Sequence, residues 1–242
     1  VTAKVESQLT VLSYNIHKGR AYFSRKKSWH VLIDLLFTLK PDVVFLQEFF
    51  REPESEEALE AAADSLWPFY SYGKNAVQGK FDYGNAILSK NPILHSENLN
   101  ITTNRLEPRG LLYATIEPKI FGRVHLACTH LNLTHSGRSR QLQSIHQFFE
   151  GRINPDDRLI FAGDFNDWSN RLQSQIVGQF NVQDALSAHL KYDAPTFPSF
   201  YPMWPLDKIY QRNFEVVESR CLENEKLKFQ SDHLPIFTVL KI

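Results

Sequence analysis

The stretch VHLACTHLNLTHSGRSRQLQSIHQFFEGRINPDDRLIFAGDFN, residues 124–166, decides the fold. It opens on an apolar run of strand length, Val124–Thr129, and closes on a second, Leu159–Gly163. Between them the pattern predicts a helix over Arg138–Glu150. A strand, a crossover helix and a second strand form a unit whose strands run parallel with a right-handed connection. The same arrangement occurs upstream, as a strand over Leu9–Asn15, a helix over Trp29–Leu39 and a strand over Val43–Gln47. In both units polar residues follow the apolar runs: Asn15 and Glu48 in the first, His130, Asp164 and Asn166 in the second. Open α/β sheets bind ligands beyond the carboxyl ends of their strands. Two such edges facing each other would gather these groups into one cleft.

Further strands are expected at Asn85–Ser89, Leu111–Glu117, Lys208–Tyr210 and Ile236–Leu240, and further helices at Glu56–Leu66 and Asn170–Val177. Ser28 is positioned to cap the first helix and Pro41 to end it. Ser55, followed by Glu56 and Glu57, places carboxylates where the dipole of the next helix favours them. No low-complexity segment or Pro/Gly/Ser-rich linker divides the 242 residues, so one domain over 1–242 is expected. Hydrophobic residues make up 43% and charged ones 22%, the composition of an ordinary globular protein. The 27 basic and 27 acidic side chains cancel, which weakens a role that depends on neutralising long duplex nucleic acid. Cys128 and Cys221 fit neither a zinc spacing nor a disulfide framework, and Cys128 reads as a buried small hydrophobe. No apolar run reaches the roughly 20 residues that cross a bilayer; Val31–Leu39 is broken by Asp34. A cytoplasmic monomer is expected, with room for a processed leader before Val1.

The chemistry is carried by Ser231-Asp232-His233 and Gly163-Asp164-Phe165-Asn166. An acid beside an imidazole can hold a metal ion with one side chain and engage a phosphate with the other. Asp164 and Asn166, two residues apart, point to the same side of an extended segment. Each feature has a plain structural reading: Glu48 as a strand-end carboxylate, Asn15 as a turn former, His130 as a satisfied core histidine and Asp207 as a surface acid. Together, and in this order, they point to hydrolysis of a phosphate ester.

Tyr14-Asn15, Leu46-Gln47-Glu48, Thr129-His130-Leu131, Gly163–Asn166, Leu206-Asp207-Lys208-Ile209 and Ser231-Asp232-His233 resemble the ordered motifs of the endonuclease/exonuclease/phosphatase superfamily. The likeness spans residues 14–233 and is closer still to a largely uncharacterised bacterial branch, through Asn15–Gly19, Gly84–Ser89, Arg109-Gly110 and Thr196-Phe197-Pro198. The resemblance implies an α/β (α+β) fold, a deoxyribonuclease I-like four-layer αββα sandwich of two mixed β-sheets flanked by helices. It further implies that Glu48, with Asn15 and Asp232, holds one Mg²⁺. Such an all-oxygen set suits Mg²⁺ or Mn²⁺ better than Zn²⁺. Asp164 would orient or deprotonate the attacking water, and Asn166 would hold that water or a phosphate oxygen. His233, its tautomer fixed by Asp207, would contact the scissile phosphate. His130 would donate to another non-bridging oxygen or assist the leaving group. At the His130 position, deoxyribonuclease-like and sphingomyelinase-like members carry His, whereas exonuclease III-like members carry Tyr.

Substrate contacts are expected from His17, Asn85 and Arg109, with Lys18 as a further phosphate contact and Arg138 and Arg140 decorating an exposed helix start. Trp168, Phe197, Phe200, Tyr201 and Trp204 cluster around the later motifs, and Tyr201–Pro205 is the expected substrate-selecting lip with Trp204 in contact. The substrate would be a phosphoester, either nucleic acid or a phospholipid or other small phosphodiester. The rival reading is a non-catalytic phosphate- or nucleic-acid-binding module that kept the fold; the survival of Glu48, Asp164, Asn166, Asp207, Asp232 and His233 argues against it.

Overall fold

In a computed structural model, residues 8–242 are described. The elements run β1 (Gln8–Asn15), α1 (Trp29–Leu39), β2 (Val43–Arg51), α2 (Pro53–Ser65), β3 (Phe69–Gln78), β4 (Phe81–Ser89), β5 (Ile93–Asn100) and β6 (Gly110–Ile116). They continue with β7 (Val124–His130), α3 (His135–Phe149), β8 (Arg158–Asp164), α4 (Gln173–Phe180), β9 (Gln183–Asp184) and α5 (Ala185–Leu190). The last three are β10 (Asp207–Arg212), β11 (Glu215–Cys221) and β12 (Ile236–Lys241). The expected single domain over 1–242 includes residues 1–7, which lie outside the described residues.

Two six-stranded sheets form, in the orders β11-β12-β1-β2-β4-β3 and β5-β6-β7-β8-β10-β9. Each has a parallel pair at its centre, β1 with β2 and β7 with β8, and antiparallel neighbours outside it. These are the two strand-helix-strand units read from the sequence. Alternation along the central strands builds the layers. Val11, Val43, Phe45 and Ile87 of one sheet meet Leu126, Cys128, Ile160, Ala162 and Ile209 of the other in the inner core. Leu12, Tyr14, Val44 and Leu46 turn outward against α1 and α2 residues such as Leu32, Leu36 and Ala62. Ala127, Leu159 and Phe161 turn outward against Leu142, Ile145 and Phe149 of α3 and Ile176 and Phe180 of α4. The result is the expected four-layer αββα sandwich.

Polar groups also cross between the sheets. Asn85 of β4 donates through Nδ2 to the carbonyls of Gly110 (3.0 Å) and Cys128 (3.3 Å). Gln47 of β2 approaches the Cys128 sulfur at 3.4 Å. Burial pushes the Cys128 thiol up to about 12, so it stays protonated, in keeping with its reading as a small core residue.

Several boundaries differ from expectation for local reasons. Ser28 precedes α1, but its hydroxyl donates to the Gln230 carbonyl rather than capping the helix. The second helix starts at Pro53, a proline in the first turn where no donor is missed. Ser55 there accepts the Glu52 N–H (2.9 Å) from inside the turn. The third helix starts three residues before Arg138, capped by Thr134, whose Oγ1 accepts the Gly137 N–H. Arg138 is therefore not an exposed decoration. It is 3% exposed, donates to the carbonyls of Asn132 and Leu133, and lies 3.9 Å from Asp167. The fourth helix begins at Gln173 because Asp167 draws the Leu172 N–H into a 2.6 Å bond and Asn170 is left-handed, at φ 54°.

Candidate active site

The carboxyl ends of the two parallel pairs lie side by side. Asn15 ends β1, His130 ends β7 and Asp164 ends β8, with His130 and Asp164 directly paired across the strands. Glu48 sits where β2 bulges between Leu46 and Phe49, in left-handed backbone at φ 54°. Asn166 (φ 49°), His17 (φ 46°) and Lys18 (φ 59°) are left-handed too. For residues other than glycine this conformation costs on the order of 1 kcal/mol each. Its concentration here marks a site whose geometry outranks local comfort. Gly163, at φ 147°, lets β8 approach β7: a Cβ there would lie 1.9 Å from the Thr129 carbonyl oxygen.

Asp164 is the hub. Its Oδ2 accepts from Asn15 Nδ2 at 3.0 Å and lies 3.3 Å from His130 Nε2 and 3.5 Å from His233 Nε2. Its Oδ1 accepts the Asn166 N–H at 2.9 Å, and Asn166 Nδ2 donates to the Leu131 carbonyl. On the far side of its ring, His233 Nδ1 meets Asp207 Oδ2 at 2.8 Å, an oxygen that also accepts from Thr196 Oγ1 at 2.6 Å. Asp207 Oδ1 is buried with no hydrogen-bond partner among the described residues. Asn15, Asp164, Asn166, Asp207, His130 and His233 are each at most 5% exposed.

Burial and charge set the protonation pattern. Burial raises the Asp164 carboxyl to about 7, His233 opposing and Asp207 assisting the rise. Burial alone would lower His233, but Asp207 and Asp164 reverse this and lift it to about 10. His130 goes the other way: burial, Arg109 and His233 all hold it well below the usual imidazole value. The site therefore pairs one charged imidazole with one neutral imidazole. Arg109 Nη1 lies 3.5 Å from His130 Nδ1, so a neutral His130 accepts there and carries its proton on Nε2, facing Asp164.

The outer groups are more open. Glu48 is 21% exposed, 3.9 Å from His130, and has no hydrogen-bond partner among the described residues. Asp232 is 19% exposed and lies 4.0 Å from His17 Nδ1. Ser231 donates to the Asn15 carbonyl at 2.7 Å, tying the last motif to the first. Asn85, expected at the cleft, is fully buried, and its Oδ1 has no hydrogen-bond partner among the described residues. Trp204 packs on Trp168 (5.4 Å) and Phe197, and Phe197 lies 4.8 Å from the His233 ring, so Phe197 stands between Trp204 and the site. Thr196, Ser231 and Arg138 received no site role from sequence; the first two stand inside motifs already singled out, and that was their only signal.

Two donor sets can be weighed for a metal, one by the mutual distances of its atoms and one by its donor chemistry. Ligand-type atoms of Asp164, Asp207 and His233 fall within 4.8 Å of one another. They are spent on each other, however, and His233 holds its proton against a cation. Glu48, Asp232 and Asn15 instead offer oxygens, two of them on partly open carboxylates with capacity to spare. That set fits a hard divalent ion that keeps several waters.

Residues 12–233 match the family model described as Endonuclease/Exonuclease/phosphatase family. An uncharacterised protein of Escherichia coli (strain K12), YbhP, is 32% identical over 237 residues, covering 93% of each chain. Among solved structures, an endonuclease/exonuclease/phosphatase from Beutenbergia cavernae superimposes with a TM-score of 0.85 at 21% identity, covering 98% of this chain and 72% of that one. TDP2 of D. rerio, in complex with single-strand DNA product, gives 0.74 at 22% identity, covering 98% and 100%. At such identities the structural likeness concerns the fold. The chain belongs to the endonuclease/exonuclease/phosphatase family of metal-dependent phosphoester hydrolases.

Proposed function

We propose that this chain is a Mg²⁺-dependent phosphodiesterase, with Mn²⁺ an alternative, in which Asp164 prepares water for in-line attack on phosphorus. The observation that carries the reading is the convergence of Asn15, His130 and His233 on one Asp164 oxygen at the meeting edge of the two sheets. Glu48, Asn15 and Asp232 would hold the ion. Bound there, the cation would neutralise charge on the phosphoryl oxygens and favour ionisation of nearby acids.

The chain's own groups divide the remaining work. Asp164, once ionised, accepts the proton of the attacking water, and Asn166 orients that water or a phosphate oxygen. His233 meets the phosphoryl group as a fixed cation, with Asp207 and Thr196 locking its ring. Preorganised donors of this kind dominate catalysis where charge develops. His130 is neutral and contributes a single N–H to a non-bridging oxygen; its lowered proton affinity makes His233 the better proton source for the leaving group. Arg109 steadies His130 and reaches the same oxygens, and His17 flanks them beside Asp232. We further propose that the chain acts as one domain and as a monomer. Candidate substrates are a nucleic acid, a phospholipid or a small phosphodiester. No helix among the described residues is long and apolar enough to cross a membrane.

A substrate panel tests the reading: single- and double-stranded DNA, RNA, bis-p-nitrophenyl phosphate, inositol phosphates and phospholipids, each with Mg²⁺, Mn²⁺ or EDTA. Turnover of at least one diester with metal and none with EDTA is expected. Turnover that survives EDTA, or is absent from every diester, overturns it.

A further inference from the structure

Apolar exposure is unevenly distributed over the surface. Phe23 (63% exposed), Phe200 (39%) and Phe229 (45%) come from three separate loops yet pack together. Phe23 lies 5.2 Å from Phe200 and 6.0 Å from Phe229, ring to ring. Tyr201 (68%) and Met203 (54%) extend the exposure from the loop of Phe200. Tyr22 stacks on Phe200 at 5.8 Å and lies 5.9 Å from the ring of His17, so the patch begins at the rim of the cleft. Nothing in the folding of the chain gains from holding these rings in water. A contiguous patch of this kind marks an interaction surface.

The patch is built rather than floppy. Residues 20–27 form a tight hairpin in which Arg20 pairs with Lys27 and the Ala21 N–H bonds the Lys26 carbonyl. The Tyr22 N–H bonds the Phe229 carbonyl, and Ser199 donates to the carbonyls of Lys228 and Ser231, tying the three loops together. Charge gathers on the same hairpin. Residues 16–33 hold Lys18, Arg20, Arg25, Lys26 and Lys27 and no acid, in a chain whose net charge is zero. Arg20 and Lys27 are paired to Glu52, and Lys27 also to Glu54. Arg25 leans on His17, while Lys26 is exposed with no acidic partner among the described residues. Glu223 and Glu225, acids of the third loop, are paired to Lys228 at 3.3 and 3.4 Å.

The kind of partner follows from the rings. Stacking a nucleobase needs an open aromatic face, but here Tyr22 and Phe200 lie against each other at an interplanar angle of 19°. Phe23 is wedged between Phe200 and Phe229. What is offered outward is hydrocarbon edge beside cations, the combination that lipid interfaces accept. We propose that this patch docks the protein on the surface of an anionic lipid bilayer, with Phe23, Phe200 and Phe229 entering the interface and Lys26 and Arg25 meeting the headgroups. The docking does not depend on which phosphoester the site cleaves.

Co-sedimentation of the full chain with phosphatidylcholine vesicles, with and without about 30% phosphatidylglycerol, tests it. The wild type should pellet with the anionic vesicles and be released by high salt. The double variant Phe23→Ser, Phe229→Ser should partition about 10-fold less or weaker still, and Lys26→Glu several-fold less. Circular dichroism and turnover of a soluble diester should stay at wild-type values in each variant, which separates lost docking from lost folding or catalysis. Failure of the wild type to pellet, or undiminished pelleting of the double variant, overturns the proposal. So does retention of a single-stranded oligonucleotide that depends on these phenylalanines while vesicles are ignored.

Discussion

Glu48 stands in left-handed backbone at a strand bulge, partly exposed and without a hydrogen-bond partner among the described residues. Replacing its carboxylate with an amide of the same shape therefore removes charge and little else. Glu48→Gln should abolish metal-stimulated hydrolysis while thermal unfolding stays within a few degrees of wild type. Full Mg²⁺-stimulated turnover in that variant would take Glu48 out of the metal site. His233 is the opposite kind of residue, buried and held on both sides by carboxylates. Under the proposed mechanism His233→Ala would remove a fixed cation from the point where negative charge develops, so turnover should fall by about 10²-fold or more. Steady-state rates on a soluble diester check this, and an unchanged rate would sink the role assigned to the ring.

Among the elements, the pairing of β7 with β8 bears most directly on the site, because its last step sets His130 beside Asp164. Gly163 permits it: a methyl group there would strike the Thr129 carbonyl, at a φ that side chains rarely adopt. Gly163→Ala should destabilise the fold by about 3 kcal/mol and cost activity at the same time. Chemical denaturation with parallel assays reads both; a variant with wild-type stability and turnover would mean that the strands can part there without consequence. These central strands were legible in the sequence because both faces are buried, so Val124–Thr129 and Val43–Gln47 read as unbroken apolar runs. The edge strands β3, β5 and β11 escaped. His95, Ser96 and Glu97 of β5 are exposed on an outer rim and show no apolar signature. Helix starts slipped because the capping groups, Thr134 and the Glu52–Ser55 turn, lie upstream of the periodic pattern. At the site, carboxylates and imidazoles after apolar runs stood out. Thr196 and Ser231 did not, since a hydroxyl declares its role only through the partner that folding brings to it.

For the molecule as a whole, pH dependence of stability follows from histidines well away from the cleft as well as in it. His125 is buried, with Tyr113 Oη 2.6 Å from its Nδ1 and Asp157 3.6 Å from its Nε2. Burial lowers its pKa below the usual 6.5, Arg123 and Arg212 adding to this against Asp157. Below about pH 6.5 the unfolded chain takes up a proton that the folded ring refuses, so this stabilisation is present at higher pH and lost on acidification. The advantage in Tm of wild type over His125→Gln should accordingly shrink between about pH 7.5 and about pH 5. A difference that stays constant over that window would mean that His125 titrates as it does in the unfolded chain. The bond from Asn15 to Asp164 has a different consequence. It spans 149 positions in the chain and joins one sheet to the other, so the catalytic distance and the thickness of the inner layer are a single quantity. Turnover is thus a gauge of how tightly the two halves are pressed together. A solvent that swells the interior while sparing helices and strands, as in a molten globule, should silence the enzyme while its far-UV circular dichroism still reads as folded.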